Sequence, residues 1–185
     1  NGQGEIIQHY LNQLQVLDAG GWFAPEYQNT PIPTLSEVIY FLAQHQMKAV
    51  IEIKPLPRHE IETTRNTIAV IESIWPDYHD SIIISSFSLN CLIEVRKRLP
   101  NVRLGLGIDD WPSNWQAMAN ELNCFSIHVN HEKLSNALIQ QAKALQYEVY
   151  AYTVNETNDA QRLFNWQIDG IFTDKPDKIL ALCEF

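Results

Sequence analysis

Residues 48–57 read KAVIEIKPLP, and how this stretch is read decides the fold. Ala49, Val50, Ile51 and Ile53 are residues that a sheet interior prefers. Glu52 and Lys54 interrupt them two positions apart, and Pro55 ends the run. Side chains alternate faces along a strand, so residues at i and i+2 point the same way. A carboxylate and an ammonium therefore share one face of a mostly apolar strand. Two readings fit: an ion pair buried for packing, or two groups held out for a ligand. Buried ion pairs rarely improve stability over apolar residues of similar size, which favours the ligand.

Outward from this run, short β-rich stretches alternate with helical patterns. The stretches are 49–54, 81–87, 102–108, 125–130, 148–154 and 168–173. Between them, apolar residues recur at spacings of three and four. One stripe holds Ile61, Ile68, Ile71, Ile74 and Trp75, and a second holds Leu89, Leu92, Ile93 and Arg96. A third holds Leu134, Leu138, Ile139, Ala142 and Leu145. In TLSE, after Pro33, Thr34 and Glu37 form a capping box that starts a helix before the first stretch. Strands joined through helices run parallel, with right-handed crossovers.

Each stretch ends in polar or small residues: EIK, SSF, LGI, HVN, YTVN and FTD. In a (β/α)8 barrel the carboxyl ends of several strands converge on one site, which suits this distribution. A doubly wound sheet with a phosphate-binding loop would show GxGxxG after its first strand. That pattern is absent; Gly105 and Gly107 lie inside a strand, where they mark close approach of neighbouring groups. The fold class expected is α/β, a parallel (β/α)8 TIM barrel of which this chain supplies about six βα units. Such a barrel takes about 250 residues, against 185 here. The chain thus reads as the larger C-terminal part of a barrel. Residues 4–17 look helical (Ile6, Tyr10, Leu11, Leu14, Leu17), and 18–32 look like a loop rich in aromatics. A six-stranded domain folding by itself is the other arrangement, and it leaves sheet edges unpaired.

Composition narrows the function. Hydrophobic residues at 45% and charged residues at 19% describe a globular protein in the size range of one domain. Thirteen basic against 22 acidic residues leave a net charge of −9, which argues against a nucleic-acid partner. An anionic small substrate stays compatible, since a site's local field can oppose the net charge. No apolar run reaches the roughly 18 residues of a transmembrane segment. Cys91, Cys124 and Cys183 are scattered, show no metal spacing, and suit a reducing compartment such as the cytoplasm. The chain opens NGQGEI without methionine, so a periplasmic or secreted location stays open.

Seven motifs in order resemble the glycerophosphodiester phosphodiesterases: NGQGEI, LDAGGWFAPEY, IPTLSEVI, IEIK, SSF, YTVN and DGIFTDKPD. The resemblance runs over nearly the whole chain. It implies a TIM barrel of the phosphodiesterase type, with a small cap inserted between the second strand and second helix. Residues 1–30 would be part of that cap. Residues 31–185 would be the barrel portion, from the second helix to the last strand and C-terminal helix. Family members carry a His-Arg-Gly strand end, a Glu-Asn-Thr, a second-strand Asp and a His-Asp pair before a Thr-Asn-Gly. Asn1 and Gly2 match the end of that last motif, which puts the family's catalytic histidine pair upstream of Asn1 and leaves no catalytic histidine in this chain.

The resemblance makes Glu52 a ligand of one divalent metal ion, Mg²⁺ or Ca²⁺, and sets Lys54 against the substrate phosphate. Hard cations take carboxylate oxygens, and a lysine serves as a point charge for phosphate. Phe87 and Tyr152 would line the substrate pocket. Tyr152 stands where the family usually has Trp, and its added hydroxyl needs a partner. Trp22 and Phe23 resemble an aromatic pair of the cap, which would shield the glycerol moiety or glue the cap to the barrel. Asn155 and Asp174 read as loop caps. His128 reads as a satisfied barrel histidine, and Trp111 and Trp115 match no motif. The expected activity is metal-dependent hydrolysis of glycerophosphodiesters to glycerol 3-phosphate and an alcohol, with the chain by itself an inactive fragment. The alternative is a non-catalytic TIM-barrel domain that binds or scaffolds. Either the missing N-terminal piece or a second copy is expected to complete the barrel.

Overall fold

The structure is a computed structural model that describes residues 1–182, with the side chain of His79 left out. Cys183 thus lies outside the described residues. In chain order the elements are α1 (Leu11–Leu14), α2 (Leu35–Gln44), β1 (Ala49–Glu52), α3 (Glu60–Ile74), β2 (Ile82–Ser86) and α4 (Leu89–Arg98). They continue as β3 (Arg103–Ile108), α5 (Trp115–Glu121), β4 (Ser126–Asn130), α6 (Asn136–Ala144), β5 (Glu148–Tyr152), α7 (Thr157–Asn165), β6 (Gly170–Ile171) and α8 (Pro176–Leu180). The six strands form one sheet in the order β1-β2-β3-β4-β5-β6, and every neighbouring pair is parallel. Sequential order with a helix after each strand is the connectivity of a barrel wall.

The sheet curls. On a flat sheet β2 and β5 would lie three spacings, or about 14 Å, apart. Yet Phe87, just after β2, meets Tyr152 of β5 with ring centroids 5.5 Å apart. The convex face is aliphatic: Ile82, Ile84, Leu104, Leu106, Ile127, Val129, Val149 and Ala151 are all sealed beneath the helices. Each of the Val, Leu and Ile side chains contributes about 1.5–3 kcal/mol by leaving water. The helices meet this layer through Thr64, Ile68 and Ile71 on α3, Cys91, Leu92 and Val95 on α4, and Ile139 and Ala142 on α6, whereas Ile61, Leu89, Ile93 and Leu145 of the expected stripes are exposed. β1 has β2 as its single strand partner among the described residues, and β6 has β5.

Two polar clamps tie the helices down. Arg96, placed by its spacing in an apolar stripe, turns its guanidinium onto backbone carbonyls instead. It donates to Leu122 O (2.9 Å), Pro100 O (2.6 Å), Val102 O (3.0 Å) and Asn123 O (3.0 Å), so the loops before β3 and β4 share one charge. Buried Glu94 accepts from Arg65 Nε (2.7 Å) and Arg98 Nε (2.6 Å), joining α3 to α4. Those two arginines hold the Glu94 carboxyl at about 2, well below its ordinary 4.5. The unfolded chain therefore binds more protons than the folded one between those values. The stabilisation is complete above the ordinary value and drains away as pH falls toward 2. Glu94→Gln is expected to flatten the slope of the urea midpoint against pH in that acid window. Both arginines are about half exposed, so added salt should shrink the effect.

Three local expectations hold or change. Thr34 Oγ accepts from Glu37 N (3.3 Å) while Glu37 accepts from Thr34 N (2.7 Å), the reciprocal cap of α2. Residues 4–17, expected as one helix, are two short pieces: a 3-10 turn at Ile6–Gln8 and the single turn α1. Extended His9 and Tyr10 separate them, and Gln13 caps the second by accepting from Tyr10 N (2.8 Å). Their apolar residues Ile6, Tyr10 and Leu11 stay exposed, so no buried stripe holds one long helix together. Stretch 168–173 shortens to two paired residues, but Phe172 N→Ala151 O and Val154 N→Phe172 O (both 2.8 Å) continue the ladder beyond it. Among the described residues no helix is long and apolar enough to cross a membrane.

Candidate active site

The carboxyl ends of the strands enclose a cleft of about 390 Å³ on the concave face. Glu52 and Lys54 line it from β1, with Ser85 and Phe87 opposite Gly107 at the middle, and His128, Tyr152 and Phe172 beyond. The pleat places them: Val50, Glu52 and Lys54 share this cleft while Ile53 is buried behind them. Both charged side chains are exposed, and among the described residues neither makes an ion pair or hydrogen bond. An ion pair kept for packing is therefore not what the strand holds.

The middle of the cleft is opened by two glycines. A methyl on Gly107 would sit 2.9 Å from the Phe87 ring. One on Gly105 would sit 2.6 Å from both Cε1 and Nε2 of His128, and 3.0 Å from Ser85 Cβ. Gly105→Ala is expected to cost about 1–3 kcal/mol by overpacking, read as a lower thermal midpoint.

Phe87 is 47% exposed, so it forms a wall of the cleft and not part of the core. It packs edge-to-face on Tyr152. The Tyr152 hydroxyl, which the sequence left without a partner, donates to Ile108 O (3.0 Å). Burial, then the nearby Asp109 and Glu52 carboxylates, push it up to about 12, so it stays protonated and fixed.

His128 is buried on the cleft floor, and burial pushes its imidazole down to about 4. Nε2 lies 2.9 Å from Ser126 Oγ, and the ring stacks on Tyr150 at 5.2 Å. The sequence reading passed over Ser126, although its i, i+2 spacing to His128 is the signal that exposed Glu52 and Lys54. It also missed Lys133, which holds Asp110 (2.6 Å) and Asp109 (3.4 Å) at the rim. Asn155 and Asp174 do cap the loops: Asn155 Oδ1 accepts from Asp174 N (2.8 Å), and its amide donates to Asp174 Oδ2 (2.9 Å). Trp111 and Trp115 pack edge-to-face at 5.0 Å, an aromatic plug behind β3. Trp22 and Phe23 stand 81% and 68% exposed and pack edge-to-face on each other.

Glu52 suits a hard cation as one oxygen ligand, yet a divalent ion needs several. Among the described residues no cluster of three or more His, Cys, Asp or Glu is placed to hold one.

Residues 1–178 match the model of the glycerophosphoryl diester phosphodiesterase family. The chain belongs to that family. It is the chain of a phosphoric diester hydrolase. It is 27% identical to the glycerophosphodiester phosphodiesterase of Caldanaerobacter subterraneus over 98% of its own length and 74% of that protein. The glycerophosphodiester phosphodiesterase of Bacillus subtilis is also 27% identical, over 96% of this chain and 65% of the other. Among solved structures, an Oleispira antarctica phosphodiesterase in complex with sn-glycerol-3-phosphate superposes with a TM-score of 0.91. It is 33% identical, over 97% of this chain and 72% of that one. A Galdieria sulphuraria structure shares the fold, with a TM-score of 0.84 at 15% identity. Such a likeness extends to the curled sheet of this phosphodiesterase.

Proposed function

We propose that the protein hydrolyses glycerophosphodiesters to sn-glycerol 3-phosphate and an alcohol, with Glu52, Lys54, Phe87 and Tyr152 in the site. One observation carries this reading. Lys54 lines both the 390 Å³ cleft and a second groove of about 700 Å³ walled by Ile6, Ile7, Leu56 and Glu62. A phosphodiester carries two substituents on one phosphorus. A phosphate at Lys54 sends its glycerol into the first cavity and its alcohol into the second. Water adds to phosphorus, the bond to the alcohol oxygen breaks, and a proton reaches the departing oxygen. Lys54 holds the phosphate charge as a point cation, while Phe87 and Tyr152 wall the glycerol side.

Glu52 fits as one ligand of a divalent ion, Mg²⁺ or Ca²⁺, which when bound would polarise a phosphoryl oxygen. No further metal ligand and no acid–base histidine is assigned to a residue of this chain. In this reading residues 1–30 are part of an inserted cap and 31–185 the barrel portion. β1 and β6 gain partners either from an N-terminal piece with two more strands, which gives an eight-stranded barrel, or from edge-to-edge pairing with a second copy. Cysteine usage favours the cytoplasm; Cys91 and Cys124 are free thiols.

The test is a coupled assay for sn-glycerol 3-phosphate with glycerophosphocholine, Mg²⁺ or Ca²⁺, and an EDTA control. The full-length protein should turn over and residues 1–185 alone should not. A full-length protein that binds glycerol phosphate without turnover would instead make this a binding domain.

A further inference from the structure

His128 is the one buried titratable group of the cleft that the proposed chemistry leaves unused. Its surroundings are built with some care. Ser126 fixes one ring nitrogen, Nε2, at 2.9 Å. Tyr150 stacks on one side, Phe172 tilts against it at a centroid distance of 5.2 Å, and Gly105 leaves the space that the imidazole occupies. The residue is 4% exposed, yet it lines the cleft. Its second nitrogen, Nδ1, has no partner among the described residues. Nor is Nδ1 sealed in: among the described residues, the buried side-chain atoms without a partner are Trp111 Nε1 and His131 Nδ1. The free nitrogen of His128 therefore opens onto the cleft.

We infer that His128 is a specificity residue, whose Nδ1 hydrogen-bonds a hydroxyl of the glycerol moiety at the floor of the cleft. This rests on the proposed function, because it assigns the glycerol side of the substrate to the 390 Å³ cavity. Three features suit a hydroxyl better than a phosphate. Burial keeps the imidazole neutral near pH 7, so it offers no charge to an anion. A neutral imidazole presents one donor and one acceptor, and the Ser126 hydroxyl, able to do either, lets Nδ1 take whichever role the substrate needs. A glycerol hydroxyl is likewise both donor and acceptor. Lys54, a cation of the cleft just past the end of β1, stands across the β2 and β3 strands from β4. The phosphate and the hydroxyls are then read at opposite ends of one cavity.

Sites that hydrogen-bond a substrate hydroxyl discriminate strongly against analogues lacking it, since their own polar group is left unpaired. The experiment compares glycerophosphocholine with propylphosphocholine, which lacks both glycerol hydroxyls, in the full-length protein. His128→Phe keeps the ring and its stacking on Tyr150 but removes both nitrogens. Its kcat/KM on glycerophosphocholine is expected to fall roughly tenfold or more, with less than about a threefold change on propylphosphocholine. Ser126→Ala, which leaves Nδ1 in place, should keep most of the preference for glycerol. Equal losses on both substrates would show a structural role and overturn the inference, as would an unchanged preference.

A second measurement covers a variant that does not fold. In the unmodified protein, the ¹⁵N resonance of His128 Nδ1 should move on adding sn-glycerol 3-phosphate and stay in place with inorganic phosphate. Movement with both, or with neither, would also overturn the assignment. Failure of the unmodified full-length protein to hydrolyse glycerophosphocholine would count against the proposed function, whatever His128 does.

Discussion

Glu52→Gln in the full-length protein is expected to lower kcat/KM for glycerophosphocholine by about 10²–10³, the usual loss when one preorganised electrostatic group is removed. The substitution keeps the shape and the hydrogen-bonding oxygen and deletes only the charge. Glu52 has no protein partner among the described residues, so no neighbouring network collapses with it. The defect should lie in affinity for the cation: an amide oxygen still ligates, but more weakly than a carboxylate. A titration with Mg²⁺ or Ca²⁺ should then show a raised midpoint, and part of the rate should return at high metal. An unchanged rate at limiting metal would remove Glu52 from the site.

Lys54→Met should cost a similar factor, about 10²–10³, but with a different signature. The lost group is a cation against a phosphate that is charged before, during and after the reaction. KM and inhibition by the product sn-glycerol 3-phosphate should therefore weaken together with kcat. The methionine stem still packs between the two cavities, so the fold should keep its thermal midpoint. Lys54→Arg should recover only part of the activity, because a planar fork does not replace a compact ammonium. Product inhibition as strong as in the unmodified protein would place the phosphate elsewhere.

How much of this was legible beforehand differs from element to element. The five longer strands lie within the stretches read from residue type, since β-branched runs between helical stripes leave little choice. The pairing of Glu52 and Lys54 on one face was legible because the pleat alternates at every residue whatever lies around it. The long helix at 4–17 was misread. Its apolar spacing is genuine, but a helix that short and unpacked is marginal, and exposed Ile6 and Tyr10 give it no support. Arg96 was misread for the opposite reason: its position in the stripe is right, but carbonyl partners such as Leu122, Val102 and Asn123 come from turns that reach it only in the folded chain.

By itself the sequence determined the alternation of strands and helices, the cap of α2, the shared face of Glu52 and Lys54, and the family. The first three follow from residue type and spacing over fewer than about twenty residues, where covalent geometry sets the periods, while the family rests on seven motifs in order along nearly the whole chain. The tertiary structure alone decided the rest. It brought Phe87 to Tyr152, gave the Tyr152 hydroxyl a carbonyl 44 residues away, and set Lys54 between two cavities. It also made His128 neutral, with one nitrogen spent on Ser126 and one left free. These depend on the curl of the whole sheet and on the water it excludes. Curl adds up a small twist from every strand, and a pKa reflects neighbours that meet only after the chain has closed on itself.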